Sequence, residues 1–232
     1  MSTSTDPKVT LYTYFRSSCS ARLRIALALK SIPYTSIPIN LLKNEQSSTK
    51  NTAVNPSSTV PTLIIEHPNH IQSPKTIKIT QSLAALEYLD EAFPDRPNPL
   101  LPHPSDPQQR ALVRSLASII ACDIQPVTNL RILQRVAPFG VDRAAWSKDL
   151  IEAGFVAYET IARGSAGRFS VGDTMTMADV CLIPAVWGAE RAGVDLEQYP
   201  TIKRVAEALE RESAVKQGHW RTQQDTPEEF RI

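Results

Sequence analysis

Cysteine is scarce in this sequence, and long hydrophobic runs are missing. The 232 residues include three cysteines, Cys19, Cys122 and Cys181, which lie far apart and form no C-x-x-C pair. This spacing argues against a disulfide scaffold and a zinc site, so no metal is expected. No apolar run reaches about 18 residues, the length that predicts a membrane-spanning helix, and the start, MSTSTDPK, lacks the apolar stretch of a signal peptide. We therefore expect a soluble protein of a reducing intracellular compartment, without a membrane partner.

An excess of one charge is also absent. Lysine and arginine number 25 and aspartate and glutamate 24, which gives a formal net charge of +1. Proteins that bind nucleic acid or an anionic membrane surface usually carry a basic excess, so neither partner is expected. The hydrophobic content of 42% supplies an ordinary globular core, and the length suits two domains.

The first part of the chain alternates between strand and helix patterns. Strand patterns rich in β-branched and aromatic residues cover residues 8–15, 33–41, 60–66 and 76–79. A helix pattern with Ala21, Ile25, Ala26 and Leu29 on one face follows the first strand, and a second helix pattern covers 80–93. The polar connection HPNHIQSPK predicts a long hairpin loop. The order β-α-β followed by β-β-α predicts a small mixed sheet with helices packed on it.

Prolines mark a boundary after this part. The segment 94–107, PDRPNPLLPHPSDP, contains six prolines, a density that neither helices nor sheets tolerate. Four helix patterns follow, at residues 108–136, 144–163, 176–192 and 201–212. We therefore predict a first domain at 1–93, a linker at 94–107 and an all-helical domain at 108–232.

Two local signals lie in the helical part. The stretch TMAD, residues 176–179, predicts a capping box in which Asp179 reaches back to the Thr176 N–H. Pro126 lies inside the helix pattern 108–136 and has no N–H to donate to the Cys122 carbonyl, so we expect a kink there.

The junction between the first strand and the first helix carries four small polar side chains, Ser17, Ser18, Cys19 and Ser20. Hydroxyl groups at such a junction satisfy free backbone N–H groups as ordinary N-caps. A hydroxyl donor and a helix N-terminus also favour a bound thiolate, which is the chemical interpretation. The residues alone leave both interpretations open.

Seven stretches stand in order between about Val9 and Pro227: YFRSSCS, RIALALK, INLLK, NPSSTVPTL, TQSLAALEYL, IQPVTNL and VGDTMTMADVCLIP. Together they resemble the zeta class of glutathione transferases, the maleylacetoacetate isomerases. The resemblance implies an α/β plus all-α architecture, in which a thioredoxin-like N-terminal domain binds glutathione and an all-helical C-terminal domain completes the glutathione transferase fold. It also implies a homodimer. Ala21 departs from the class pattern, which has tryptophan at that place, so the substrate range stays open.

The resemblance assigns roles to individual residues. Ser17 is implied to hold the glutathione thiolate, Ser18 to orient the thiol or the loop, and Cys19 to tune the chemistry. The other implied glutathione contacts are Gln46, Val60, Pro61, Gln81, Ser82, Gln125, Asn129 and Arg131. Arg191 is implied in binding the acidic substrate.

Four of these residues have an expected form of contact. A cis bond before Pro61 is expected from the thioredoxin-like fold, and it would expose the Val60 N–H and C=O for pairing with the cysteinyl backbone of glutathione. The start of the second predicted helix, at Gln81 and Ser82, is expected to take the γ-glutamyl carboxylate on its free N–H groups.

The implied activity is glutathione-dependent cis–trans isomerisation of maleylacetoacetate to fumarylacetoacetate in phenylalanine and tyrosine catabolism, with glutathione as cofactor. Addition of the thiolate converts the double bond into a single bond that rotates before the sulfur leaves. Glutathione transferase activity is compatible with the class.

Two alternatives stay open, a thiol–disulfide oxidoreductase that uses Cys19 and a binding protein that kept the fold without catalysis. The cytoplasm is the implied location, with the mitochondrion as the alternative.

Overall fold

Two units make up the chain in the computed structural model, which describes residues 7–67 and 75–232. One unit comprises Met1–Pro97 together with Gln217–Ile232, and the other comprises Asn98–Lys216. The predicted long hairpin loop falls mainly on residues 68–74, outside the described residues. Within the described ranges, no helix combines the length and the apolar character that crossing a membrane requires.

A mixed four-stranded sheet forms the centre of the first unit. The strands in its described residues are β1 Lys8–Thr13, β2 Thr35–Pro38, β3 Thr62–His67 and β4 Lys75–Ile79. They lie in the order β2-β1-β3-β4, with β1 parallel to β2 and antiparallel to β3, and with β3 antiparallel to β4. Thr10 lies opposite Thr35, and Tyr12 opposite Thr62. The sheet confirms the predicted βαβ and ββα order and the thioredoxin-like fold.

Helices connect and flank these strands. The α-helices in the described part of this unit are α1 Ser18–Leu29, α2 Thr49–Val54 and α3 Ser82–Ala92, and its short 3-10 helices are Leu41–Lys43, Glu45–Ser47 and Glu228–Phe230. The core between sheet and helices contains fully buried aliphatic side chains from β1, β3, α1 and α3, namely Leu11, Leu23, Ile25, Leu27, Leu63, Ile65, Leu86 and Leu89.

α1 is buried on almost every side, which its sequence pattern of one apolar face did not predict. Arg22, Arg24 and Lys30 are each only 1% exposed. The Lys30 ammonium lies 2.9 Å from the Asp90 carboxylate of α3, so that pair is neutralised inside the unit. A buried charge is costly unless it is paired or hydrogen-bonded, and the two arginines need partners of their own.

The second unit is helical. Its helices are α4 Pro107–Ser118, a π-helical segment Ile119–Ile124, α5 Leu130–Val136, the 3-10 helix Ala137–Phe139, α6 Arg143–Ala162, α7 Met177–Arg191, the 3-10 helix Leu196–Gln198 and α8 Pro200–Leu209. A last helix, α9, spans Ser213–Gly218. α7 passes through the core of this unit, with eleven of its residues buried. The predicted helices 144–163, 176–192 and 201–212 correspond to α6, α7 and α8.

The single helix predicted at 108–136 is wrong, because the chain breaks there. The π-helical segment ends at Ile124, where the Gln125 N–H donates to the Ile120 carbonyl at 3.0 Å. A turn through Pro126 follows, and α5 begins anew after Asn129, whose side-chain oxygen accepts from the Arg131 N–H at 3.0 Å. Pro126 lacks the N–H that a continuing helix needs, and a side chain able to cap lies three residues later, so a break replaces the expected kink.

The capping box predicted from TMAD is confirmed at the start of α7. The Asp179 carboxylate is fully buried and accepts the Thr176 N–H at 2.8 Å, the Thr176 hydroxyl at 3.0 Å and the Ser170 N–H at 2.8 Å. Burial raises the pKa of Asp179, and the hydrogen bonds from Ser170 and Thr176 counter that rise. Asp179 therefore has a structural role in which it joins the Ser170 loop to the helix.

The C-terminal end of the chain differs from the predicted domain division. The helical domain was expected to extend to residue 232, whereas Gln217–Ile232 groups with the sheet unit. The predicted linker also contributes to the second unit, since Leu100 is fully buried and its carbonyl accepts the Met177 N–H at 2.7 Å. Proline density showed where regular structure stops, but it carried no information on which core the flanking residues enter.

Replacing Asp179 by alanine should lower the free energy of unfolding by about 2–4 kcal/mol, because two buried N–H groups and one hydroxyl lose their acceptor. Urea denaturation followed by circular dichroism measures this change. Asp149→Ala, an exposed position on α6, is the matched control and should change stability by less than ~0.5 kcal/mol. Equal stability of the two variants would contradict the buried role of Asp179.

Candidate active site

Ser17 is the N-cap of α1. Its backbone is extended, with φ −72° and ψ 117°, and its Oγ accepts the Ser20 N–H at 3.1 Å. A hydroxyl that accepts a hydrogen bond still has its own hydrogen to donate. Because Ser17 is only half-buried, that hydrogen can point to a bound group. Capping and thiolate binding are therefore compatible, and the two interpretations of this junction do not exclude each other.

Ser18 and Cys19 are the first two residues of α1. Both side chains are half-buried, and Cys19 is a free thiol. Their backbone N–H groups belong to the first turn, which lacks intrahelical acceptors. The junction thus presents hydroxyl, thiol and backbone donors within one turn.

The turn from Tyr14 to Ser17 is held by hydrogen bonds from a buried guanidinium. The Ser17 N–H donates to the Tyr14 carbonyl at 3.0 Å and closes the turn. Arg24 donates from Nη1 to the Tyr14 carbonyl at 3.3 Å and to the Thr13 hydroxyl at 3.0 Å, and from Nη2 to the Phe15 carbonyl at 3.0 Å. The backbone that leads into Ser17 is therefore held by an arginine about two turns further along α1.

Arg24 is satisfied although it is buried. Its remaining donor, Nε, reaches the Gly218 carbonyl at 3.1 Å. Burial lowers the pKa of Arg24 to about 10, while Tyr34 and Asp225 act in the opposite direction. The guanidinium therefore stays charged at neutral pH.

Val60 lies beside the same turn. It forms a buried cluster with Tyr14 and Phe15, and the peptide bond from Val60 to Pro61 is cis, as expected. Among residues 7–67 and 75–232, no hydrogen bond involves the Val60 N–H or C=O. The predicted site for an added peptide backbone is thus adjacent to the loop that carries Ser17.

The start of α3 is tied to α1 by Arg22. Gln81 is the N-cap residue but makes no capping side-chain bond, and Ser82 is the first helical residue. The Ser82 hydroxyl accepts a hydrogen bond from Arg22 Nη1 at 3.0 Å. The other two nitrogens of this guanidinium, Nε and Nη2, are buried without a hydrogen-bond partner among the described residues. A cation with unused donors therefore lies behind the helix start at which a carboxylate was predicted.

Gln46 is occupied locally. It lies in the 3-10 helix Glu45–Ser47, where its side-chain nitrogen donates to the Asn44 side chain at 2.9 Å and its backbone carbonyl accepts from Asn51 at 2.8 Å. Its side-chain oxygen is buried without a partner among the described residues. A glutathione contact of Gln46 stays a prediction.

Four predicted site residues belong to the second unit. Gln125 is half-buried at the end of the π-helical segment, Asn129 caps α5, and Arg131 is exposed on the first turn of α5. Arg191 is exposed in the last turn of α7. Burial raises the pKa of the neighbouring Glu190, and the charge of Arg191 acts to lower it. The contacts predicted for these four with glutathione or substrate stay predictions.

Among residues 7–67 and 75–232, no group of three or more His, Cys, Asp or Glu side chains is arranged to hold a metal ion.

Comparison with known proteins gives consistent results for the whole chain. The family described as Glutathione S-transferase, N-terminal domain, matches residues 16–92. A maleylacetoacetate isomerase of Emericella nidulans is 87% identical over 231 residues, which is 100% of both chains. The chain belongs to the zeta-class glutathione transferase and maleylacetoacetate isomerase family.

Solved structures of the zeta class have the same fold as this chain. A bacterial maleylpyruvate isomerase described as a zeta-class glutathione transferase has a TM-score of 0.83 at 38% identity, with 94% of this chain and 100% of that one covered. A maleylacetoacetate isomerase from Anaeromyxobacter dehalogenans, solved with dicarboxyethyl glutathione and citrate in its active site, has a TM-score of 0.84 at 37% identity, with 96% and 95% covered. The glutathione transferase fold predicted from the sequence is confirmed.

Three residues of the site were not found by sequence reasoning. Arg22 and Arg24 have the polar character of surface residues, and only the burial of α1 shows that they act from inside. Asp225, whose carboxylate accepts the Phe15 N–H at 2.8 Å, is separated from that residue by 210 positions. The position of the two arginines inside an otherwise apolar helix pattern was the one signal in the sequence that could have indicated their burial.

Proposed function

We propose that the protein catalyses the glutathione-dependent cis–trans isomerisation of maleylacetoacetate to fumarylacetoacetate, a step of phenylalanine and tyrosine breakdown. The observation that carries the proposal is the geometry of Ser17, a half-buried N-cap that accepts from Ser20 and keeps a hydroxyl hydrogen to donate. The same activity is named for the relative that is 87% identical along the whole chain.

The residues of the first unit fit glutathione part by part. The buried Arg22 nitrogens without partners and the open start of α3 at Ser82 suit the γ-glutamyl carboxylate. The backbone groups of Val60 suit the cysteinyl peptide, in the manner of an added strand. The Ser17 hydroxyl and the start of α1 suit the sulfur as an anion. The three features are connected through neighbouring residues, because Val60 packs on Tyr14 and Phe15, and Arg22 joins α1 to α3.

The chemistry assigned to each residue follows from these positions. When bound, glutathione supplies the thiolate that adds reversibly to the substrate double bond, so that the bond can rotate. Ser17 donates a hydrogen bond to the sulfur and lowers its pKa, since a donor and a helix N-terminus both favour the anion. Ser18, the first residue of α1, orients the thiol or the loop. Cys19, one residue further along α1, influences the surroundings of the sulfur without reacting.

A dicarboxylic substrate requires a cation, and we assign that role to Arg191. Support for an acidic substrate, though not for a particular residue, comes from the Anaeromyxobacter dehalogenans enzyme, which was crystallised with dicarboxyethyl glutathione and citrate. A glutathione that carries a dicarboxyethyl group is the kind of adduct expected when a thiol adds to an unsaturated dicarboxylate. Gln125, Asn129 and Arg131 are assigned to glutathione binding from the second unit.

The same family membership supports three further assignments. The protein is a homodimer, it works in the cytoplasm or in the mitochondrion, and it has glutathione transferase activity towards other small electrophiles. Light scattering coupled to size exclusion measures the first assignment, and a mass equal to one chain would contradict it.

Ser17→Ala should lower the isomerase kcat by about 100-fold or more, because the bound thiol loses its hydroxyl donor. Cys19→Ala should keep most of the activity. Ultraviolet absorbance of maleylacetone conversion, with and without glutathione, measures both variants.

The reverse pattern, in which Cys19→Ala is inactive and Ser17→Ala is active, would favour the thiol–disulfide oxidoreductase. Glutathione–disulfide exchange by the wild-type protein is the assay for that outcome. Absence of any thermal shift with millimolar glutathione would instead favour a binding protein without this cofactor.

Arg22→Met should weaken glutathione binding by about tenfold, which corresponds to about 1.4 kcal/mol, because a buried cation behind the γ-glutamyl carboxylate is lost. Calorimetry with glutathione measures the loss, and γ-aminobutyryl-cysteinylglycine, which lacks that carboxylate, serves as the matched ligand. The two proteins should bind the matched ligand equally. An equal loss for both ligands would show that Arg22 acts on the fold and not on the carboxylate.

A further inference from the structure

The C-terminal segment, residues 217–232, packs on the loop that leads to Ser17. Trp220 and Phe230 contact the buried cluster of Tyr14, Phe15 and Val60. The ring centroids of Phe15 and Trp220 are 6.4 Å apart, and those of Trp220 and Phe230 are 5.9 Å apart. The last residues of the chain therefore cover the turn that presents the proposed thiolate donor.

Hydrogen bonds join the segment to the backbone of this turn. The Phe15 N–H donates to Asp225 Oδ2 at 2.8 Å. The Phe15 carbonyl accepts from Arg24 Nη2, and Arg24 Nε in turn donates to the Gly218 carbonyl at 3.1 Å. Both polar groups of the Phe15 backbone are thus held by the C-terminal segment, one directly and one through Arg24.

Phe15 lies within the turn that the Ser17 N–H closes onto the Tyr14 carbonyl at 3.0 Å. The peptide units on both sides of Phe15 set the path of the chain into Ser17. If the Phe15 N–H lost its acceptor, a buried donor would be left unsatisfied, and the peptide unit before Phe15 would rotate towards another acceptor although Arg24 still holds the carbonyls of the turn. Such a rotation would move the Ser17 hydroxyl, because only one further peptide unit separates the two residues.

The segment is itself well ordered by internal contacts. Thr226 is 2% exposed, donates its hydroxyl hydrogen to the Trp220 carbonyl at 2.7 Å, and accepts from Arg231 Nε at its carbonyl at 3.0 Å. At the other end, a Cβ on Gly218 would lie 2.9 Å from the Ile25 backbone nitrogen, so the segment touches α1 closely there. Asp225 is therefore presented from a fixed framework and not from a loose tail.

Asp225 acts electrostatically on two buried neighbours, Arg24 and Tyr14. Its negative charge raises the pKa of Arg24, against the lowering by burial. The Arg16 guanidinium carbon lies 6.0 Å from the centre of the Phe230 ring. Burial raises the pKa of Tyr14, with Arg16 lowering it and Asp225 raising it. Oδ1 of Asp225 has no hydrogen-bond partner among the described residues, so the bond to Phe15 is made by Oδ2 alone.

We propose that Asp225 is a positioning residue of the glutathione site, which holds the Phe15 backbone so that the Ser17 hydroxyl meets the sulfur. The inference rests on the proposed role of Ser17. It extends the site to the C-terminal segment, for which the sequence pattern predicts no functional role.

Titration of the bound glutathione thiol, followed by the ultraviolet absorbance of the thiolate, tests this proposal. Asp225→Ala should raise the pKa of the bound thiol by about one unit and lower kcat about tenfold, with a smaller change in the KM for glutathione. Asp225→Asn keeps an acceptor oxygen and should restore most of both. Glu229→Ala, an exposed acidic residue of the same segment, is the matched control and should behave as wild type.

An effect of the negative charge of Asp225 and an effect of its position predict different thiol pKa values for Asp225→Ala and Asp225→Asn. If Asp225 acted by its negative charge alone, alanine and asparagine would both lower the thiol pKa. If it acted on folding alone, thermal unfolding would shift while the thiol pKa stayed constant. Either result would overturn the proposal. Should Asp225→Ala fail to fold, Asp225→Ser removes the long acceptor with less loss of polarity and decides the question in the same way.

Ser17→Ala in the same titration separates this inference from the proposed function. If Ser17→Ala leaves the thiol pKa unchanged, the proposed role of Ser17 is wrong. If Ser17→Ala raises it and Asp225→Ala does not, the role of Ser17 stands and that of Asp225 is overturned.

Discussion

The buried guanidinium of Arg24 is the constraint on which the proposed site depends. Removing a charge from water costs several kcal/mol unless its donors are satisfied, and all three nitrogens of Arg24 find oxygen acceptors. Two of these acceptors are carbonyls of the turn before Ser17, and a third is the Gly218 carbonyl. The hydrogen bonds of this one cation therefore hold the turn from Tyr14 to Ser17 and join the C-terminal segment to α1.

Arg22 shows the opposite situation only two residues earlier. Its Nη1 is paired with the Ser82 hydroxyl, whereas Nε and Nη2 have no partner within the described residues. A buried charge with unsatisfied donors is unfavourable, and an anionic ligand at the start of α3 would offset part of that cost through its charge. One helix thus carries a cation that stabilises the fold and a cation that suits a ligand.

The order of strands and helices could be predicted from the sequence because period and turn residues are local properties. The capping box at Asp179 was predictable for the same reason, since its partners lie within three residues. The break at Pro126 was only half predicted, because proline shows where a helix fails but not whether the chain kinks or starts again. That outcome depended on Asn129, which caps α5.

The assignment of Ser17 needed the family resemblance, since a cap and a thiolate donor have the same residue type. Arg24 and Asp225 were beyond local reasoning, because their partners are brought together by the fold across up to 210 positions.

The proposed mechanism requires that the Ser17 hydroxyl donate a hydrogen bond to the sulfur of glutathione and so hold it as the attacking anion. A crystal structure of the protein with glutathione tests this most directly. We expect the sulfur within hydrogen-bonding distance of Ser17 Oγ, with the γ-glutamyl carboxylate at Ser82 and the cysteinyl backbone at Val60. A sulfur that points away from Ser17, or that is bonded to Cys19 instead, would contradict it.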